Sequence, residues 1–182
     1  MKKQFFLLTA FGKDRPGMVA GVTQIIFDLG GNIEDASMTR LGGEFTMMLV
    51  TALPAGTAVK DLQKKLSSLE KTLGLALIAK AISPALASSA RQIQPKYLIS
   101  VYGTDRPGIV YHVTQALAKR KLSVTDLQTK IADRGGKPLY IMLLEVQSSA
   151  ALDVDALRED LDTLRHDLGV EISLQDIEAI AL

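Results

Sequence analysis

Two short strings in this chain place an acid, a base and a sharp turn side by side. Asp14-Arg15-Pro16-Gly17 stands between Gly12-Lys13 and Met18-Val19, and Asp105-Arg106-Pro107-Gly108 between Gly103-Thr104 and Ile109-Val110. A carboxylate beside a guanidinium can hold groups of opposite charge, and a glycine lets a ligand approach the backbone closely. Apolar residues at helical spacing follow each string, which places the turn at a helix start. There the unpaired N–H groups and the positive end of the helix dipole can receive a carboxylate or a phosphate. A proline-glycine turn also has a purely structural explanation, but its recurrence in the same context favours binding.

Bond-making chemistry finds no support in the other residues. The chain has no cysteine and two histidines. His166 lies between Arg165 and Asp167 on the polar face of a helix, and His112 follows Tyr111 one turn into another. Neither has a second histidine nearby to make a metal pair, and no nucleophile, base and orienting group come together. The acidic run Asp153, Asp155, Glu159, Asp160 and Asp162 lacks the spacing and glycine of a calcium loop, so it reads as a solvated helix face. No enzymatic activity, metal or cofactor is expected.

The two strings belong to an internal repeat with an offset of 91 residues. Val22-Thr23-Gln24 answers to Val113-Thr114-Gln115, Ile33 to Val124 and Asp35 to Asp126. After a short insertion, Leu73-Gly74-Leu75 answers to Leu168-Gly169-Val170. Two copies of about 90 residues are too few and too long for a solenoid, and each can bury a core of its own. The expected division is a domain over 1–83, a linker over 84–95 and a second domain over 96–182.

Each copy reads as strand, helix, strand, strand, helix, strand. In the first, residues 3–11 form an apolar run that ends at Gly12, a buried central strand. Pro16 fits the first helical position, and Met18, Val19, Val22, Ile25, Ile26 and Leu29 give a helix over 17–29, ended by Gly30-Gly31. Residues 32–40 and 45–53 make a hairpin about Leu41-Gly42-Gly43-Glu44. Val59, Leu62, Leu66, Leu69 and Leu73 form the next helical stripe, Gly74 caps it, and residues 75–83 form the last strand. The second copy repeats this order with a helix over 107–121 and a hairpin about Arg134-Gly135-Gly136-Lys137. A stripe of Val154, Leu157, Leu161, Leu164 and Leu168 and a strand over 170–175 complete it. The fold class is α+β: two tandem ferredoxin-like βαββαβ domains, each a four-stranded antiparallel sheet with both helices on one face. The linker is rich in Ala, Ser and Gln and shows no helical or strand periodicity.

Composition narrows the functions further. With 182 residues, 47% of them hydrophobic, and a net charge of +1, the chain gives no electrostatic case for nucleic acid, whose binding usually needs a basic face. Its helices alternate with strands, and Lys60, Lys64, Lys65 and Lys71 lie opposite a leucine stripe, so no basic recognition helix emerges and no direct nucleic-acid contact is expected. No apolar segment approaches the roughly 20 residues of a membrane span. Phe5-Phe6-Leu7-Leu8 is too short for a secretory signal. A cytoplasmic protein without a membrane partner is expected.

The combination of a βαββαβ unit, a strand-Gly-x-Asp-Arg-Pro-Gly-helix junction and Asn-Ile with Asp on the second strand resembles the ACT domain, a family of small regulatory modules. The resemblance extends over two tandem copies, from about residue 4 to 180. Among tandem proteins without an enzyme domain, it resembles the glycine cleavage system transcriptional repressor family. It implies an amino-acid ligand, glycine- or serine-like, and control of transcription through a protein partner. A ligand-free assembly or regulatory subunit of a metabolic enzyme is the alternative. Family sites lie between the loop after the first strand and the start of the second strand, often between two modules. That implies Asp14, Arg15, Pro16, Gly17 and Met18 with Asn32, Ile33 and Asp35 opposite. In the second copy it implies Asp105, Arg106, Pro107, Gly108 and Ile109 with Ser123 and Val124 opposite. Asn32 would bridge carboxylate and amine, and Ser123 in its place makes the first copy the better candidate. Phe5, Leu7, Tyr97, Ile99 and the Met47-Met48 pair exceed what one helical layer needs, so a homodimer or larger assembly is expected.

Overall fold

Burial alternates along the first strand, β1 (Lys3–Lys13): Phe6, Leu8 and Ala10 are buried and their neighbours less so. That is what a strand must do when only one of its faces is covered. The computed structural model describes residues 2–89, 97–134, 136–148 and 152–177, and only the backbone of residues 88, 89, 134 and 137. After β1 come α1 (Met18–Asp28), β2 (Asn32–Leu41), β3 (Glu44–Pro54), α2 (Val59–Leu73) and β4 (Leu75–Ile82). A short α3 (Pro84–Ser89) follows. The second set is β5 (Tyr97–Gly103), α4 (Ile109–Lys119), β6 (Leu122–Arg134), β7 (Lys137–Ser148), α5 (Val154–Leu168) and β8 (Val170–Asp176). The chain divides into two compact units, Met1–Gln92 and Ile93–Leu182.

Both sheets are antiparallel and share one topology, β2-β3-β1-β4 and β6-β7-β5-β8. In the first unit Phe6, Leu8, Phe45, Met47, Leu49 and Leu77 meet Met18, Val22 and Ile26 of α1 and Leu62 and Leu66 of α2. The second unit repeats this with Ile99, Val101, Met142 and Leu144 beneath Val113, Leu117, Leu157 and Leu161. Burying one such side chain contributes about 1.5–3 kcal/mol, so these layers hold each unit together. α1 comes close to α2 at Gly21, where a Cβ would lie 2.9 Å from Leu69 Cδ1. Even the irregularities are duplicated: β2 bulges between Ile33 and Asp35, and β6 between Val124 and Asp126.

Several local readings change. Pro16 is not the first helical residue. Gly17 follows it with φ 92° and ψ −5°, the values of the third residue of a type II turn, and α1 begins at Met18. The segment after β4 is helical over Pro84–Ser89 despite lacking periodicity, because six residues cover less than two turns and, among its described side chains, Ala87 alone is buried. The rest of the expected linker lies outside the described residues. Met47 and Ile99 are core residues on the helical side, so the apolar excess on the open face reduces to others, chiefly Phe11, Met48 and Ile78 in the first unit. The acidic helix is more than a solvated face. Asp153 caps α5 by accepting from the Ala156 N–H, and Asp160 accepts from Arg120 Nε at 2.7 Å. That hydrogen bond holds the Asp160 carboxyl below its ordinary range.

The ends of α1 and α4 differ in a way that predicts a stability change. Gly30 takes φ 68° after α1, and Gly30 N and Gly31 N donate to Phe27 O and Ile26 O, closing a Schellman cap. After α4 the same place is filled by Lys121 at φ 58°, among the described residues the sole non-glycine with positive φ. Left-handed backbone costs a side-chain-bearing residue about 1 kcal/mol. Lys121→Gly is therefore expected to stabilise the second unit by about that amount in urea unfolding; an unchanged midpoint would contradict it.

Candidate ligand-binding site

β1 is central in its sheet, so its far end must lie beside the β2–β3 hairpin. Gly42 and Gly43 form that hairpin's two-residue loop with φ 60° and 86°, the type I′ signature that only glycine adopts freely. The Asp14 N–H donates to Gly43 O at 2.9 Å, pinning the β1–α1 loop to the hairpin. The type II turn then carries the chain into α1, which starts without a side-chain cap. The Arg15 N–H contacts Met18 Sδ at 3.3 Å. Between loop and hairpin is a depression of about 450 Å3. Asp14 to Ala20 line one side of it, and Met38, Arg40 and Phe45 line the other.

Across it, Arg40 Nη1 donates to Asp14 Oδ2 at 3.0 Å. The two side chains are 69% and 34% exposed, so the pair is solvated and contributes at most about 1 kcal/mol. Asp14 is thus partnered by Arg40 rather than by neighbouring Arg15. Sequence reasoning missed Met38, Arg40 and Phe45. Their signal was topological: in a βαββ unit the end of the first strand abuts the hairpin.

Asp14, Arg15, Pro16, Gly17 and Met18 all line this depression. Asn32, Ile33 and Asp35 are not brought to them within this unit. Asn32 pairs with Ala52, whereas Arg40 pairs with Phe45, which places Asn32 roughly 25 Å down β2 at about 3.3 Å per residue. The reason is direction: α1 runs back along the sheet, so β2 begins at the end opposite to where α1 begins. Asn32 is exposed, and Asp35 Oδ1 accepts from the Ala36 N–H.

The second unit repeats the turn but not its surroundings. Gly108 has φ 98° and ψ −10° before Ile109, which is buried. Register equates Tyr140 with Phe45, Ile131 with Arg40 and Thr129 with Met38. Burial, with a smaller push from the Asp105 carboxylate, raises the Tyr140 phenol above its ordinary value. His112 packs over the turn, its Cδ2 3.3 Å from where a Gly108 Cβ would be, while the same test at Gly17 meets open space. Arg106 reaches toward Gly169. Pro107 is exposed in the turn, and Ser123 and Val124, paired with Gln147 and Val146, again stand at the far end of the edge strand.

A family model for the ACT domain matches residues 4–80 and 96–175. The chain belongs to the ACT domain family. Its two ACT domains correspond to the two compact units. The chain is 22% identical over 174 residues to the glycine cleavage system transcriptional repressor of Escherichia coli, across 94% of this chain and 90% of that one. A UPF0237 protein of Streptococcus mutans is 39% identical over 69 residues, 38% of this chain and 78% of its own. Among solved structures, an unknown protein from Galdieria sulphuraria superposes with a TM-score of 0.79 at 26% identity, covering 97% of this chain and all of that one (100%). Another, provisionally named a glycine cleavage system transcriptional repressor, gives 0.72 at 23% identity over 98% of this chain and 100% of its own, a likeness of fold. Among the described residues no group of three or more His, Asp or Glu is placed to hold a metal ion. Among them too, no helix is long and apolar enough to cross a membrane.

Proposed function

We propose that this chain is a non-catalytic regulatory protein that responds to an amino acid and passes the signal to a protein partner controlling transcription of amino-acid metabolism genes. The observation that supports this most is the depression at the Asp14–Met18 turn. It joins a carboxylate, two guanidiniums and an uncapped helix start, the groups needed to hold an ammonium and a carboxylate together. Membership of the ACT family and the likeness to the repressor along nearly the whole chain add the regulatory context. The repressor's name links the signal to glycine metabolism. The near-neutral charge supports a partner protein, rather than this chain, as the element that touches DNA. Phe11, Met48 and Ile78, exposed on neighbouring strands of the helix-free face, are available to such a partner.

Titration calorimetry of metabolite-free protein against each of the twenty amino acids tests the proposal. Saturable binding of at least one is the expected result. Absence of binding by all twenty would overturn it and leave an assembly or regulatory subunit that works without a ligand.

A further inference from the structure

The lining of the depression specifies more than an amino acid in general. Apart from Asp14, Arg15 and Arg40, every side chain that lines it is apolar. Met18 and Phe45 are buried at 2% exposure each, whereas Val19 and Met38 remain 39% and 58% exposed. Glycine would leave those two side chains wet, and a serine hydroxyl would gain no uncharged polar side chain there. A branched or unbranched hydrocarbon chain would cover both. The Asp14–Arg40 pair supplies the complementary charges at hydrogen-bonding distance, 3.0 Å. An exposed pair of this kind holds its partners weakly, and Arg40 has a long, solvated side chain free to swing. A zwitterion entering with its ammonium toward Asp14 and its carboxylate toward Arg40 replaces one ion pair by two without changing the net charge. A guanidinium fits a carboxylate with two parallel hydrogen bonds.

We infer that the depression of the first unit takes an amino acid with an apolar side chain, with Arg40 holding its carboxylate and Asp14 its ammonium. This rests on the amino-acid-responsive function proposed above and deepens it. Met38 and Arg40 are the residues that determine specificity. The second unit is an internal control, because Thr129 and Ile131 occupy their places. It has the turn but neither the guanidinium nor the methionine, so one ligand binds per chain.

Calorimetry on the full chain with leucine, glycine, serine and leucinamide, on wild type and Arg40→Gln, tests the inference. Leucine is expected to bind at one per chain and at least about tenfold more tightly than glycine or serine, since each buried methylene already discriminates on that scale. Arg40→Gln is expected to weaken leucine by about tenfold or more. The wild-type preference for leucine over leucinamide, which lacks the carboxylate, should disappear in the variant. Its thermal midpoint should stay within about 2 °C of wild type, because the pair it breaks is exposed. Glycine or serine binding as tightly as leucine, full leucine affinity in Arg40→Gln, or two equal leucine sites per chain would overturn this inference while leaving the proposed function standing. Failure of all twenty amino acids to bind would overturn both.

Discussion

Gly31→Leu is expected to destabilise the first unit by about 3 kcal/mol, and adding Leu53→Ser is expected to restore much of that loss. A Cβ on Gly31 would lie 2.2 Å from Leu53 Cδ2 and 3.1 Å from both Ala52 O and Ile26 Cγ2. Leu53 and Ile26 are almost fully buried, so neither can withdraw into solvent. The second unit shows the complementary solution. There β6 opens on Leu122, buried in the place of Gly31, and Leu122 pairs with Ser148. One unit thus packs glycine against leucine, the other leucine against serine, so each pair holds one large side chain and one small residue. Leu53→Ser alone removes a buried isobutyl group and should cost about 2–5 kcal/mol. The double variant should lose less than the sum of the singles by about 2 kcal/mol or more.

The chain itself makes this measurable. All four tyrosines lie in the second unit and there is no tryptophan, so tyrosine fluorescence follows that unit alone while circular dichroism reports both. The first unit's transition is the dichroism change that fluorescence does not share. Strict additivity of the two substitutions would show that the packing exchange is not what distinguishes the units.

Gly17→Val should both destabilise the first unit, by about 1–3 kcal/mol, and abolish amino-acid binding. A Cβ there meets nothing within 4 Å, so space is not the obstacle. The obstacle is φ 92°, a region that β-branched residues essentially never occupy. The backbone would relieve the strain by abandoning the type II turn, and the wall of the depression would go with it. Gly108→Val faces the same strain at φ 98°, with His112 close by, and should cost the second unit a similar amount, seen in tyrosine fluorescence. Binding should survive it, because Ile131 and Thr129 leave that unit without a charged clamp. Equal loss of binding from both valines would contradict assignment of the site to the first unit. Both substitutions cost stability for a backbone reason, so each glycine also has a structural role in its turn, beside any close approach of a ligand.

The alternation of apolar residues in Phe6, Leu8 and Ala10, the leucine stripes of α2 and α5 and the glycine pair at 42–43 specify elements and order through local physics. The duplication then confirms the architecture, because two diverged stretches satisfy one pattern. A turn's chemistry is local as well, so Asp14 to Met18 could be picked out from residue types and spacing alone. Boundaries were less legible: Pro16 satisfies either a helix start or a type II turn, and only the dihedral of Gly17 separates them. What faces the turn is not local at all. Asn32 is eighteen residues from Asp14 and Arg40 twenty-six, yet it is Arg40 that arrives at 3.0 Å. Sequence distance misleads because α1 carries the chain away from the turn before β2 returns toward it. The sequence by itself determined two ACT-type units and singled out the loops proposed to bind. Only the tertiary structure decided which side chains close the site, since antiparallel register, not proximity in the chain, sets which strand ends meet.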